Sequence, residues 1–218
     1  MSARNLLVFA AAMILGCANR VVPCAGPQTC ERGMTCVTGR CIKAGTELVA
    51  VDAQRIVVAP QEMVVVARGN GDTALPAEIA LGGAARASAV VLLRFPTPWG
   101  KRVRIARAFL TLEPAPGAIA ETRPVLVSVA RVLEPWSASD ASWGRLPRMS
   151  AFEGNAYTGI GPAKALRIDV TTIVQRWALG RSTDQGLALT ASSDAPLGPS
   201  YATGVSGGIG PRLDVYLR

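Results

Sequence analysis

From Thr46 to Arg218 the chain is built of short runs of Val, Leu and Ile with period-two alternation, cut apart by Gly and Pro clusters. This pattern constrains the fold more than any other feature, because successive side chains of an extended strand point to opposite faces. Nine runs are predicted to be strands: 55–59, 62–67, 78–81, 89–95, 103–112, 125–133, 165–170, 186–191 and 212–217. Strands at this spacing argue for an all-β fold, an antiparallel β-sandwich. Within 103–112, Arg104, Ala106 and Ala108 fall on one face while Ile105 and later Leu110 and Leu112 mark a change of face, so a bulge is expected near 107–109. One helix is predicted over 171–180, where Ile173, Val174 and Trp177 form an apolar stripe. Asp169 or Thr171 can cap its start, and Gly180 can end it in the left-handed conformation. Loops 137–141, 192–202 and 204–211 are rich in Ser, Gly and Pro.

Two counts exclude chemistry. With no histidine, Ser-His-Asp and Cys-His nucleophile systems and any imidazole-ligated metal are impossible within this chain. Lys and Arg number 23 against 15 Asp and Glu, a net charge of +8, and only Lys43, Lys101 and Lys164 are lysines. The arginines are scattered singly between apolar residues, with no basic run and no aromatic interleaving, so they read as a solvated face and no nucleic-acid partner is expected.

The N-terminus reads as an address. Met1 to Asn5 is a short segment with one positive charge, and residues 6–15 are all apolar. Ten residues are too few to span a bilayer, which takes ~20, but they suit the hydrophobic region of a secretory signal. Ile14-Leu15-Gly16-Cys17 resembles the lipobox of bacterial lipoproteins, with Leu15 bulkier than that position usually carries. The resemblance implies removal of the signal peptide, residues 1–16, and lipidation of Cys17. The protein would then be exported and lipid-anchored to the bacterial cell envelope. Ala18 resembles the pattern that sorts to the outer membrane. The alternative is an ordinary secretory signal cut slightly later. Loss of Arg4 with the signal lowers the net charge by one.

Cys24, Cys30, Cys36 and Cys41 follow as Cys-x5-Cys-x5-Cys-x4-Cys. In an oxidising compartment an even cluster in a segment without a hydrophobic run reads as two disulfides, with three pairings open. A zinc site is the alternative, although neither Cys-x2-Cys knuckle of the strong zinc signal is present. Residues 30–41 are similar to small Dickkopf-like cysteine modules, and that resemblance implies Cys24 with Cys36 and Cys30 with Cys41. Residues 17–41 would form a lipidated, disulfide-rich module acting as a rigid spacer, or as a peptide binder. Residues 42–52 would be a linker and 53–218 the sandwich domain.

A second resemblance runs along the sandwich. Val91-Leu-Leu-Arg-Phe95, Ala108-Phe-Leu-Thr-Leu112, Val127-Ser-Val-Ala-Arg-Val132 leading to Trp136 and Trp143, Ile168-Asp-Val-Thr-Thr172 running to Trp177, Gly186-Leu-Ala-Leu189 and Pro211-Arg-Leu-Asp-Val-Tyr216 occur in the order of one family. Over residues 50–218 the chain resembles the DNRLRE-domain, disaggregatase-related family, whose members include carbohydrate-binding modules appended to polysaccharide lyases and cell-surface proteins. The resemblance implies a jelly-roll sandwich without catalytic duty, hence no cofactor, and a polysaccharide partner. Pro96-Thr-Pro-Trp-Gly-Lys-Arg102 departs from the family's loop, which carries aspartate and small polar residues.

That loop supplies the first candidate site. Trp99, exposed in a turn beside Lys101 and Arg102, could stack on a sugar ring while the cations meet a uronate carboxylate. Tyr157 and Tyr201, in Gly-rich loops, are weaker candidates. Trp177 is expected in the core, and the family resemblance implies that Trp136 and Trp143 close one end of the sandwich. Glycoside hydrolysis needs two facing carboxylates, but Glu113, Glu121, Glu134, Asp140 and Glu153 show no pairing by spacing. A tyrosine-based lyase remains open on composition. Asn70-Gly71-Asp72 offers an oxygen-donor turn without EF-hand spacing, leaving a structural calcium possible. Gly204, Gly207, Gly208 and Gly210 lack the lysine and helix context of a phosphate cradle. The expectation is a monomeric, non-enzymatic envelope lipoprotein that binds acidic carbohydrate. The second reading is a structural or adhesion domain for another envelope protein.

Overall fold

The computed structural model describes residues 34–37, 40–43, 53–67, 75–82, 89–100, 102–120, 123–191, 199–205 and 208–218. The expected signal peptide, Cys17, most of the expected cysteine module and linker, and residues Asn70-Gly71-Asp72 therefore lie outside the described residues. Strands β1 (Met34–Val37) and β2 (Arg40–Lys43) form an antiparallel hairpin with Cys36 opposite Cys41 in register. Cys41 is disulfide-bonded. The side chains of the other cysteines are outside the described set.

All nine expected runs become strands: β3 (Gln54–Val58), β4 (Glu62–Val66), β5 (Glu78–Ala80), β6 (Val90–Arg94), β7 (Ile105–Leu112), β8 (Leu126–Val132), β10 (Leu166–Asp169), β11 (Leu187–Ala191) and β13 (Arg212–Leu217). Two more lie outside the nine runs: β9 (Met149–Tyr157), which ends on a tyrosine expected in a loop, and β12 (Ser200–Ala202), inside the loop expected over 192–202. The strands pair antiparallel in a four-stranded sheet of order β10-β7-β13-β3, a five-stranded sheet of order β4-β6-β11-β8-β9, and a small β12-β5 pair. Val91, Leu93, Val127, Val129, Leu187 and Leu189 from the five-stranded sheet share one core with Ala108, Leu110, Leu112, Ile168, Leu213 and Val215 from the four-stranded sheet. The two inner faces thus pack as a sandwich. Each fully buried Val, Leu or Ile contributes about 1.5–3 kcal/mol by leaving water.

Strand β6 is buried along Val90 to Leu93 because it is covered twice. Val91 and Leu93 face the core, while Val90 and Leu92 join an outer cluster with Val64, Val66, Val132 and Ala188. That cluster is roofed by Trp136, Ala138, Ala141 and Leu146 from residues 133–148, which form a strap over the five-stranded sheet. Gly186, with φ +97°, sits where a Cβ would lie 2.3 Å from the Leu93 carbonyl oxygen, so the β11 entrance admits no side chain.

The bulge lies earlier than the alternation suggested. Tyr216 pairs with Arg107 but Leu217 with Ile105, so Ala106 is the extra residue. It leaves Ala106 and Arg107 both outside the core and returns Ala108 to the inside, on the opposite face from Arg104 and Ala106. The helix, α1 (Thr171–Ala178), buries Ile173, Val174, Trp177 and Ala178. Its N-cap is Val170, without a side-chain cap; the Asp169 carboxylate instead accepts the Thr171 N–H at 2.9 Å. Gly180, at φ +66°, ends the helix, with Arg181 N–H on the Arg176 carbonyl and Gly180 N–H on that of Trp177.

Candidate functional site

The sheet register gathers residues from four strands on the outer face of the four-stranded sheet. Alternation points Arg167 and Asp169 of β10, Arg107, Phe109 and Thr111 of β7, Arg212, Asp214 and Tyr216 of β13, and Arg55 and Val57 of β3 away from the core. Asp214, 2% exposed, is the pivot. Its Oδ1 accepts from Arg55 Nη2 at 2.6 Å and Nε at 3.2 Å, and its Oδ2 accepts from the Thr111 hydroxyl at 2.8 Å. A buried carboxylate is tolerable only with such partners. The same contact holds the Arg55 guanidinium even more firmly protonated than usual. Arg212 bridges Glu113 at 2.6 Å and stands 3.7 Å from Asp214.

Aromatic rings occupy the middle of this face. Phe109 and Tyr216 meet edge to face at 6.2 Å and 83°. Arg167 lies over the Phe109 ring at 3.8 Å and donates to the Tyr216 hydroxyl at 3.2 Å. Arg107 approaches Asp169 at 3.6 Å. Beyond them, Arg218 N–H bonds the Arg104 carbonyl at 2.9 Å, continuing the β13–β7 ladder. These two exposed arginines have no ion pair among the described residues. Along this face six arginines meet three carboxylates, Glu113, Asp169 and Asp214.

Next to it, at Val57 and Arg212, opens a groove of about 570 Å³ floored by Pro60, Met63, Leu75 and Ile209. Two of its polar side chains are already engaged: Thr203 donates to the Pro76 and Ala77 carbonyls, and Glu62 pairs with Arg94 at 3.2 Å.

The site expected from the sequence is not brought together. Trp99 is 5% exposed and belongs to the main core, so it offers no open ring face; the Pro-rich turn folds it inward because an indole gains more by burial than by solvent exposure. Arg102 is exposed at φ +68°, its N–H tied to the Ala178 carbonyl, and Lys101 lies outside the described residues. Tyr157 closes β9, opposite Leu126, and Tyr201 is buried at 2% in β12 rather than placed in a loop. Of the remaining tryptophans, Trp177 is in the core, Trp136 roofs the outer cluster, and Trp143 is 37% exposed. Arg55, Arg107, Arg167, Asp214 and Tyr216 were not singled out by sequence. Their signal is the charged or aromatic outward phase of strands 107–111 and 212–216, visible locally, whereas the strand order that joins them is not.

Among the described residues no group of three or more Cys, Asp or Glu could hold a metal. No protein-family model matches the chain, and no curated protein matches it either.

Proposed function

We propose that this chain is a non-enzymatic bacterial envelope lipoprotein whose sandwich binds an acidic polysaccharide on the outer face of its four-stranded sheet. The observation that carries this reading is the placement of Arg55 and Arg107 on either side of Tyr216, with Arg104 and Arg218 beyond. An aromatic ring flanked by forked cationic donors suits a sugar ring bearing carboxylates. The jelly-roll assignment, the two disulfides and the Cys17 lipid belong to the same proposal; the disulfides rest on the even cysteine cluster, the other two on the sequence resemblances. The test is affinity electrophoresis of the full chain through gels containing polyuronates, a sulfated glycan or a neutral glucan. Retardation by an acidic glycan at low salt, weakened as salt screens the charges, is expected. No retardation by any acidic glycan overturns the reading.

One observation favours the adhesion alternative: Phe152 on the edge strand β9 is 61% exposed. Capture of a defined envelope protein that survives glycan digestion and is lost on Phe152→Ser would move the function to that edge.

A further inference from the structure

We propose that the ligand is a linear acidic polysaccharide lying across the strands, with a carboxylate on every second sugar. The inference rests on the acidic-polysaccharide reading above. Arg107 on β7 and Arg55 on β3 share one register partner, Tyr216, on the strand between them. Their backbones therefore stand ~10 Å apart, twice the spacing of adjacent strands. In an extended pyranose chain with two-fold symmetry that distance spans two sugars, and it returns alternate substituents to the same side. One sugar lies over Tyr216 while its two neighbours direct carboxylates to Arg107 and Arg55.

The row is pre-organised. Phe109 packs against the Tyr216 ring and Arg167 holds its hydroxyl, so the ring needs no ordering on binding. Arg55 spends Nε and Nη2 on Asp214 and keeps Nη1, while Arg107 turns only Nη1 toward Asp169. Their side chains are 51% and 35% exposed. The same two-strand spacing recurs where Arg167 and Arg212 share Thr111, but Arg212 is 21% exposed and engaged with Glu113, so the first row sets the selection. A polymer with a carboxylate on every sugar turns half of its charges away from this row.

The experiment is isothermal titration of the full chain with three hexasaccharides: alternating glucuronate and N-acetylglucosamine, galacturonate throughout, and N-acetylglucosamine throughout. The alternating hexasaccharide is expected to bind at least as tightly as the fully charged one despite half its charge, and the neutral one not at all. Arg55→Ala and Arg107→Ala are each expected to weaken it roughly tenfold, the loss of about one charge-assisted hydrogen bond. Arg145→Ala, an exposed arginine of the strap, should change it by less than about twofold. Tighter binding of the fully charged hexasaccharide, or equal losses in all three variants, overturns the spacing while the acidic-polysaccharide reading stands. Binding of neither acidic hexasaccharide overturns both. The comparison of ligands uses the unaltered chain, so poor folding of Arg55→Ala cannot decide it.

Discussion

Two carboxylates of this chain, Asp214 buried and Asp184 half-buried, differ in what surrounds them. Asp214 is surrounded by donors, from Arg55 and Thr111, while among the described residues Asp184 has the Gly186 N–H, at 3.0 Å, and the field of Arg94. Burial dominates there and pushes Asp184 up to about 6. The folded protein thus holds this proton more tightly than the unfolded chain does, so the charge costs nothing below about pH 4, where both states are protonated. The cost grows between about pH 4 and 6 and is complete above. Asp184→Asn keeps an acceptor for Gly186 and removes the charge. It is expected to stabilise the fold at about pH 7.5 by roughly 1–3 kcal/mol, a rise of some 2–12 °C in Tm, and to leave the Tm at about pH 4 nearly unchanged. Thermal melts at the two pH values check this; a loss at both would mean that Asp184 matters more as a counter-ion to Arg94 than as a buried charge. None of this was visible in the sequence, where Asp184 is one acid in a polar turn. Desolvation is set by what the strap and β6 bring near it.

The strap is the element on which the five-stranded sheet depends. Trp136 packs on the outer cluster, stacks with Arg94 at 4.8 Å and donates its indole N–H to the Gln185 carbonyl at 2.7 Å. Arg94 also donates to the Trp136 carbonyl, and Glu62 accepts the Ala138 N–H. Trp136→Ala is therefore expected to cost about 3–5 kcal/mol, as for a core tryptophan, where a surface-loop residue would cost within about 0.5 kcal/mol. Urea melts measure this, and bound dye at low urea would report the uncovered Val64, Val90 and Leu92. Strands with one covered face were readable from period two. Strand β6 was readable too, since an unbroken apolar run fits burial on both faces. Strand β9 was not, although at nine residues it is the longest among the described residues. Its pairing skips Glu153 between Gly154 and Phe152 and slips again toward Met149, which erases the alternation. Glu153 itself turns to Arg131 at 2.5 Å and Arg176 at 2.9 Å. At Gly154 a Cβ would lie 2.8 Å from the Asp169 carbonyl oxygen, so close approach to β10 selects the glycine that made the segment resemble a loop. Bulges of this kind also blunt an edge against pairing with another chain.

At the scale of the whole molecule, the candidate face shows what a sequence hides. Each outward residue could be phased within its own strand, but Arg55 and Tyr216 are 161 positions apart and meet only because β13 inserts between β7 and β3. The Trp99 reading failed for the converse reason: a short, locally convincing cluster had no way to register that the core would claim its ring. The proposed anchor is likewise a property of the entire chain. Among the described residues no helix is long and apolar enough to cross a membrane. In the proposed reading attachment depends on lipid at Cys17. One acyl chain alone binds a bilayer only marginally, whereas the several chains of a processed lipoprotein hold it firmly. Cys17→Ser is therefore expected to move the protein from the membrane pellet to the soluble fraction in the native host, with the sandwich still folded and still retarded by acidic glycan. A mutant that continues to sediment in high salt, which strips charge-held proteins from anionic surfaces, would show that something other than the lipid holds the chain. Release by high salt alone in the unaltered protein would assign the attachment to the arginine face, making membrane and polysaccharide competitors for one surface.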